Sequence, residues 1–183
     1  QYRFDDKSGG QLDGHAFGNL FIVAMSRVTG SMEEAIRETA RVLRVRGKIV
    51  PSTLSDVALV ARMDDGSVVR GESSIGHAGR LIAEVSVEPS NVPVNAEAVA
   101  ALREADLVVI GPGSLYTSVL PNLLVRGLTE ALLASPGYKV FITNVASEHG
   151  ETDGMSAADH YQSLRRHLGN RDFADVILAN SNL

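Results

Sequence analysis

Glycines and hydroxyl groups crowd one short segment of the chain, residues 111–118, which reads Gly-Pro-Gly-Ser-Leu-Tyr-Thr-Ser. It follows an apolar run, residues 107–110, that predicts a strand covered on both faces. Gly111 and Gly113 permit a tight turn and let a ligand approach the backbone closely, and Pro121 fits the first turn of a following helix. Such a junction favours an anion, because free N–H groups and the helix dipole both attract negative charge.

This segment matches neither of the two common phosphate-binding loops. It has no lysine after its glycines, as a Walker loop requires. Tyr116 stands where a dinucleotide fingerprint needs glycine. The residues alone therefore leave two interpretations open, a phosphate or sugar site and a connection that needs glycine only for its turn.

A second polar segment, residues 144–154, follows a predicted strand over residues 138–143. Because open α/β sheets bind ligands beyond the carboxyl ends of their strands, both segments are expected at one edge of the sheet. The candidates for ligand contact in it are Asn144, Glu148, Glu151, Thr152 and Asp153. A solvated loop that ends in a helix cap fits as well. A metal site through His149, Glu151 and Asp153 is a weaker alternative, because the spacing matches no standard ligand motif.

A third cluster, residues 14–19, opens the first predicted helix. His15 near a helix N-terminus could orient a phosphate or exchange a proton, and Asn19 lies one turn later on a related face. A helix cap or simple packing explains His15 equally well. The catalytic residues stay unknown, because the members of a catalytic triad are neighbours in space and not in the chain.

The elements that must position these clusters differ between the two halves of the chain. In the first half, apolar spacing predicts a helix over residues 17–28, and an S-x-x-E capping box at Ser31 predicts a second helix that stops at Gly47. Asp65-Gly66 between apolar runs predicts a β-hairpin. The strands predicted in this half are residues 48–53, 57–61, 68–71 and 81–87.

The second half alternates helices with strands. Asn95 and Ser156 are predicted helix caps, and a helix over residues 123–133 is predicted after the glycine-rich segment. The predicted strands are residues 107–110, 138–143 and 175–179. This order predicts an α/β fold with a mainly parallel sheet and an inserted β-hairpin. At 183 residues a single domain is expected.

Composition argues against several classes of function. A net charge of -5 is unfavourable for general nucleic-acid binding. The absence of cysteine excludes disulfides and fits a reducing cytoplasm. No apolar run approaches the roughly 20 residues that span a bilayer, and no signal peptide is recognisable.

Three motifs of this sequence match one known family. They are Gly-His-Ala-Phe-Gly-Asn-Leu at residues 14–20, the segment 111–118 with Leu-Pro-Asn-Leu-Leu-Val at residues 120–125, and Gly-Glu-Thr-Asp-Gly at residues 150–154 with Ala-Asp-His at residues 158–160. The Asp65-Gly66 hairpin is a weaker match. Over nearly its whole length the chain resembles the gluconeogenesis factor family (YvcK-like proteins), a branch of the wider 2-phospho-L-lactate transferase (CofD-like) superfamily.

The resemblance implies a Rossmann-like three-layer protein of the cytoplasm that binds a nucleotide or nucleotide sugar, with UDP-N-acetylglucosamine as the main candidate. It further implies a regulator of carbon metabolism and of cell shape or cell-wall synthesis. A non-enzymatic role is expected because the sequence shows no recognisable pair of a nucleophile and a base. No other cofactor is implied, and neither nucleic acid nor a membrane span is expected. The ligand contacts carried over from the family are His15, Asn19, Gly111, Gly113, Ser114, Tyr116, Thr117, Ser118 and Asn122.

Two alternatives stay open beside this regulator. Enzymatic relatives in the superfamily transfer a phospholactyl group from a guanosine diphosphate carrier to a deazaflavin precursor. In a transferase of that kind, His15, Glu148 or Asp153 would assist proton transfer or hold Mg²⁺. The second alternative is a scaffold that docks partner proteins, for example as a homodimer.

The chain departs from the family pattern in two respects. Family members begin with a strand and a glycine-rich nucleotide loop and continue into a basic C-terminal stretch. Neither is found between Gln1 and Leu183, so a fragment is expected. Residues 146–149 read Ala-Ser-Glu-His where the family usually has Met-Thr-Gln-Pro. Glu148 thus places a negative charge near the expected phosphate, which would weaken binding or alter the choice of ligand.

Overall fold

The chain is described at Phe4, at Leu12 and at residues 15–181 in a computed structural model. It divides into two compact units, Gln1–Leu54 and Ser55–Leu183. The expectation of one domain over residues 1–183 stays a prediction. Gly14, which belongs to the third sequence cluster, lies outside the described residues.

The first unit contains two helices that pack against each other, α1 (Phe17–Thr29) and α2 (Met32–Val42). Both helices were predicted from the sequence and are confirmed. The hydroxyl of Ser31 accepts a hydrogen bond from the Glu34 amide at 3.4 Å, so the predicted N-terminal cap of α2 is also confirmed.

Two sequence predictions for this unit are wrong. Helix α2 ends at Val42 and not at Gly47, because Arg44 adopts a left-handed φ of 49° that interrupts the helix. Residues 48–53 form no strand. Pro51 within that segment has no N–H group to donate to a ladder, which disfavours strand pairing.

The second unit contains two three-stranded sheets, an antiparallel one in the order β2-β1-β3 and a parallel one in the order β4-β5-β6. The predicted hairpin of β1 and β2 is confirmed, and its first arm, β1, also pairs with β3 in the antiparallel sheet. The strands are β1 (Ala58–Met63), β2 (Val68–Arg70), β3 (Ile82–Glu88), β4 (Leu107–Ile110), β5 (Tyr138–Ile142) and β6 (Val176–Leu178). The helices are α3 (Glu72–Gly76), α4 (Ala96–Glu104), α5 (Leu120–Leu123), α6 (Arg126–Ala134) and α7 (Ala157–His167).

The α/β class predicted from the alternating elements is therefore confirmed. Helices α5 and α6 connect β4 to β5, and α7 connects β5 to β6, as parallel pairing requires. Two helix caps are confirmed as well. The Asn95 side chain accepts from the Glu97 amide, and Ser156 forms a reciprocal capping box with Asp159. Among the described residues, no helix combines the length and the apolar character needed to cross a bilayer.

The core of the second unit lies on one face of β4. Val108 and Ile110 are buried in it, whereas Leu107 and Val109 are 56% and 50% exposed. The prediction of a strand covered on both faces is wrong for the described residues. Successive side chains of a strand point to opposite faces, and the buried cluster contacts only one of them.

The helix predicted over residues 123–133 begins earlier and is interrupted. A π-helical turn, Leu115–Val119, leads directly into α5, because the carbonyl of Ser114 accepts from the amides of both Ser118 and Val119. The chain then breaks before α6, where the Thr129 hydroxyl donates to the Leu123 carbonyl. The helical backbone therefore starts immediately beside the glycine-rich segment.

Candidate functional site

Two polar segments meet at the carboxyl edge of the parallel sheet. We call residues 111–119 the β4 turn and residues 144–154 the β5 loop. The Gly113 amide donates to Asn144 Oδ1 at 3.1 Å and joins the start of the β4 turn to the start of the β5 loop. The predicted juxtaposition of the two loops is confirmed.

The first glycine of the β4 turn cannot be replaced without a shift of the backbone. Gly111 has a φ of +79°, and a Cβ atom there would lie 2.7 Å from the Ile142 carbonyl oxygen at the end of β5. Gly113 is less constrained, because its nearest neighbours would be Ser118 Cβ and Val119 Cγ2 at 3.6 Å. The close approach at Gly111 brings the ends of β4 and β5 together.

Carboxylates of the β5 loop accept hydrogen bonds from the hydroxyl groups of the β4 turn. Ser114 Oγ donates to Glu148 Oε1 at 2.7 Å, and Thr117 Oγ1 donates to Glu151 Oε1 at 2.7 Å. The other oxygen of Glu151 accepts from the Tyr116 amide at 3.4 Å. The turn thus contacts negative charge, as its residue types indicate, but the chain itself supplies that charge.

Glu151 is a buried carboxylate with only 7% of its surface exposed. Burial raises the pKa of Glu151, since a charged carboxylate loses hydration there. The hydrogen bond from Thr117 opposes this increase in pKa, and the nearby charge of Glu148 adds to it. The charged form of Glu151 is therefore stabilised mainly by its contacts with the β4 turn.

Hydrogen bonds between side chains and backbone amides of the β5 loop hold this loop in place. Thr152 is fully buried, and its hydroxyl accepts from the Glu148 amide at 2.8 Å. Asp153 accepts from the Gly150 amide at 2.8 Å, and this hydrogen bond, followed by that of His149, lowers the pKa of Asp153. These contacts fix the two glutamates relative to the turn.

Tyr116 points into the core of the second unit. It is buried, and its hydroxyl accepts from Ser163 Oγ on α7 at 3.0 Å. Its ring also meets the His167 ring edge to face, with centroids 6.1 Å apart. Burial lowers the pKa of His167, whose Nε2 accepts from the Val85 amide. Tyr116 therefore attaches the β4 turn to α7 and to the core of the second unit.

The other face of the β4 turn borders a cavity of about 350 Å³. Its polar lining includes the backbone from Gly111 to Gly113 with Ser118 and Asn122. Asn122 Nδ2 donates to the Ser118 carbonyl at 2.8 Å. The opposite wall is apolar and consists of Leu102, Val109, Leu123, Leu128 and Leu132 with other side chains. Ser114, Tyr116 and Thr117 are absent from this lining.

The family model described as "2-phospho-L-lactate transferase CofD" matches residues 1–183. The chain belongs to the CofD family. It is 48% identical over 181 residues to the gluconeogenesis factor of Listeria innocua and 46% identical over 181 residues to that of Bacillus subtilis. These alignments cover 99% of this chain and 55% and 56% of the two relatives.

The same family relationship appears in three dimensions. The crystal structure of a UPF0052 family protein from Bacillus halodurans is similar, with a TM-score of 0.87 and 44% sequence identity. The match covers 100% of this chain and 58% of that protein. This CofD-family chain thus spans a little over half the length of these relatives.

The structure places the remaining predicted residues of this CofD-family chain in the first unit. Asn19 is exposed in the first turn of α1, and His15 is exposed just before it. The alternative that His15 caps α1 is wrong, because Ala16 occupies the cap position. Ligand contact by His15 and Asn19 stays a prediction.

No group of three or more histidine, aspartate or glutamate side chains is arranged to hold a metal ion in the described part of the chain. His149 pairs with Asp153, whereas Glu151 is directed to the β4 turn. The alternative metal site formed by these three residues is therefore not assembled.

Sequence reasoning missed the pairing of glutamates with hydroxyls and the apolar wall of the cavity. One signal was available in the sequence. Ser114 and Thr117 are three residues apart, and so are Glu148 and Glu151. A spacing of three places side chains on one face of a helical turn, and the Glu148 carbonyl does accept from the amides of Glu151 and Thr152. Two matched helical turns can therefore face each other.

Proposed function

We propose that this CofD-family chain forms part of a binding site for a nucleotide sugar, with UDP-N-acetylglucosamine as the first candidate. The protein acts as a regulator of carbon metabolism and of cell shape or cell-wall synthesis, and not as an enzyme. The proposal rests on the cavity beside the β4 turn. One part of its lining is polar and the other is apolar, which suits a ligand that has both polar groups and a ring.

The cavity has the features of a small-molecule site. Its volume of about 350 Å³ lies near the lower end of the range of about 300–1,000 Å³ for ligand pockets. The apolar wall suits one face of a base or sugar ring, while Ser118 and Asn122 offer hydrogen bonds that orient it. Gly111 and Gly113, whose backbone also lines the cavity, let an anionic group of the ligand approach the chain closely.

The regulatory part of the proposal draws on the relatives. The proteins from Listeria innocua and Bacillus subtilis are named gluconeogenesis factor. A shared role in carbon metabolism follows if this chain performs the same task. A strain that lacks its own gluconeogenesis factor measures that role. Its growth on a gluconeogenic carbon source is compared with and without an added copy of the gene for this protein.

Calorimetric titration with UDP-N-acetylglucosamine tests the binding. We expect saturable binding that weakens at least about tenfold when Ser118 and Asn122 are both replaced by alanine, because the polar contacts of the cavity are then lost. Ser67→Ala, in the hairpin far along the chain, is the matched control and leaves the affinity unchanged. Absence of binding at millimolar ligand contradicts the proposal.

A transferase remains the second candidate, because the matching family model is named after a phospholactyl transferase. In that case the protein would move a phospholactyl group from a guanosine diphosphate carrier to an acceptor hydroxyl and release the nucleotide. Nucleotide release from such a substrate in the presence of Mg²⁺ and a deazaflavin acceptor measures this activity. Turnover in this assay would show that the protein is an enzyme and would contradict the proposal of a non-enzymatic regulator.

A further inference from the structure

The β4 turn has two faces with different partners. Ser114, Tyr116 and Thr117 contact the β5 loop or the core, whereas Ser118 and Asn122 line the cavity. The residue that borders the cavity thus directly follows the residue that donates to Glu151. Any change in the contact between Thr117 and Glu151 acts on the backbone one residue from Ser118.

The backbone of the turn transmits this contact. The amides of Ser118 and Val119 both donate to the Ser114 carbonyl at 2.9 Å, which is the irregular feature of the π-helical turn. Such π-helical turns are rare and occur often at functional sites. Glu151 spans the middle of this turn, since it accepts from the Tyr116 amide with one oxygen and from the Thr117 hydroxyl with the other.

We propose that Glu151 is a positioning residue for the cavity. It fixes the β4 turn through Tyr116 and Thr117, which do not line the cavity, so that Ser118 and Asn122 occupy their places in the lining. This inference rests on the proposed function and identifies how the affinity of that same site is set by a residue that does not touch the ligand.

Glu151 is better suited to this role than Glu148. Glu151 is buried and makes two hydrogen bonds to adjacent residues of the turn, whereas Glu148 is half-exposed and makes one, to Ser114. Buried Thr152 follows Glu151 directly and binds the Glu148 amide. The carboxylate of Glu151 is therefore held rigidly against the turn.

Ligand affinity in a set of matched variants tests the inference. Thr117→Val keeps the shape of the side chain and removes its hydroxyl, while Thr117→Ser keeps the hydroxyl. We expect Thr117→Val to weaken binding of UDP-N-acetylglucosamine about tenfold, as the loss of a hydrogen bond to a charged group predicts, and Thr117→Ser to remain close to wild type. Ser114→Ala, the corresponding change at Glu148, has a smaller effect.

A double-mutant cycle separates positioning from general destabilisation. Glu151→Ala removes both acceptors, and Glu151→Gln retains one carbonyl oxygen, so affinity decreases in the order wild type, Glu151→Gln, Glu151→Ala. The double variant Thr117→Val with Glu151→Ala binds no more weakly than Glu151→Ala alone, because the two residues act through one contact. Additive losses, or unchanged affinity in Thr117→Val, overturn the inference.

Hydrogen exchange without ligand provides a readout that does not depend on the proposed function. Thr117→Val is expected to increase exchange in a peptide covering residues 115–119, while a peptide covering β1 stays as protected as in wild type. If wild type binds no nucleotide sugar but this local increase is seen, the proposed function fails and the positioning of the turn by Glu151 stands. Unchanged exchange at residues 115–119 overturns the positioning.

Discussion

Two turns of this chain leave the end of a strand and contain a glycine with a similar positive φ, +83° at Gly66 and +79° at Gly111. The partners that stabilise them lie at very different distances along the chain. In the hairpin turn after β1, the Gly66 amide donates to Met63, and Ser67 donates twice to Asp65. The β4 turn depends on partners 31 to 35 residues away in the β5 loop.

This difference shows what each turn can do. The hairpin turn is closed by hydrogen bonds among residues 63–67, and Arg80 and Leu81, just before β3, add contacts to Asp65 and Asp64. The β4 turn obtains its hydrogen-bond acceptors from another loop, so its shape depends on how the two strand ends meet. Binding sites are often formed by loops on a rigid scaffold. The cavity of about 350 Å³ borders the β4 turn, whereas the hairpin turn borders a separate cavity through Asp64.

Replacement of each glycine by alanine gives the largest expected contrast. Left-handed backbone strain costs about 1–2 kcal/mol at either position, but only at Gly111 would the new Cβ also meet a carbonyl oxygen, at 2.7 Å. We expect Gly111→Ala to lower the free energy of unfolding by roughly 2–4 kcal/mol and Gly66→Ala by about 1–2 kcal/mol. Urea denaturation measures both values.

Gly113→Ala is the control within the β4 turn, because a Cβ there makes ordinary contacts. Its free energy of unfolding should remain within about 0.5 kcal/mol of wild type. Equal losses for Gly111→Ala and Gly66→Ala would show that the approach of β5 does not constrain the turn.

Removal of the acidic acceptor of each turn is expected to have the next largest effect. Glu151→Ala leaves the Thr117 hydroxyl and the Tyr116 amide without their acceptor in a buried place, and an unsatisfied buried group costs about 1–3 kcal/mol. Asp65→Ala costs less, since water replaces the lost bonds at the exposed hairpin. Thermal unfolding of the two variants checks this order, which a larger loss in Asp65→Ala would reverse.

The dependence of stability on pH should have opposite signs at the two carboxylates. Hydrogen bonds from Ser67 lower the pKa of Asp65 below 3.8, so its contribution is present above that pH and is lost as the pH falls. Burial raises the pKa of Glu151 above 4.5. Its contribution is therefore greatest below that pH and is lost as the pH rises through the pKa of the folded protein.

Denaturation of wild type, Asp65→Asn and Glu151→Gln between pH 3 and pH 8 measures these slopes, with pH values chosen to bracket about 4. The stability of wild type relative to Asp65→Asn should increase with pH. Relative to Glu151→Gln it should decrease with pH. Two slopes of the same sign would contradict the assigned burial of Glu151.

The smallest expected effect concerns the two glutamates of the β5 loop. The charge of Glu148 contributes to the raised pKa of Glu151, so Glu148→Gln should shift that pKa downward while the amide oxygen still accepts from Ser114. Titration of the side-chain carboxyl carbons by NMR measures the shift. Glu130→Gln, which alters a separate ion pair with Arg171, should leave the pKa of Glu151 where it is.

Signals confined to a few residues were read correctly from the sequence. The caps at Asn95 and Ser156 and the hairpin at Asp65-Gly66 each place a polar side chain or a glycine next to the backbone it stabilises. The order of elements in the second half also predicted the parallel sheet. Such features follow from local geometry and chain order, which the sequence contains directly.

Errors occurred where a neighbour far along the chain, or an unusual backbone conformation, decided the outcome. The helix after β4 starts early because the Ser114 carbonyl takes two amides in a π-helical turn. The ladder expected for residues 48–53 does not form. The burial of only one face of β4 depends on where the rest of the core lies.

The sequence by itself determined the α/β class, the family, and that residues 111–118 are suited to meeting negative charge. Only the tertiary structure decided that Glu148 and Glu151 supply this charge and that Ser118 turns toward the cavity. The physical reason is that hydrogen bonds between two loops depend on the distance between strand ends. That distance is set by the packing of β4 against β5 and by the close approach at Gly111.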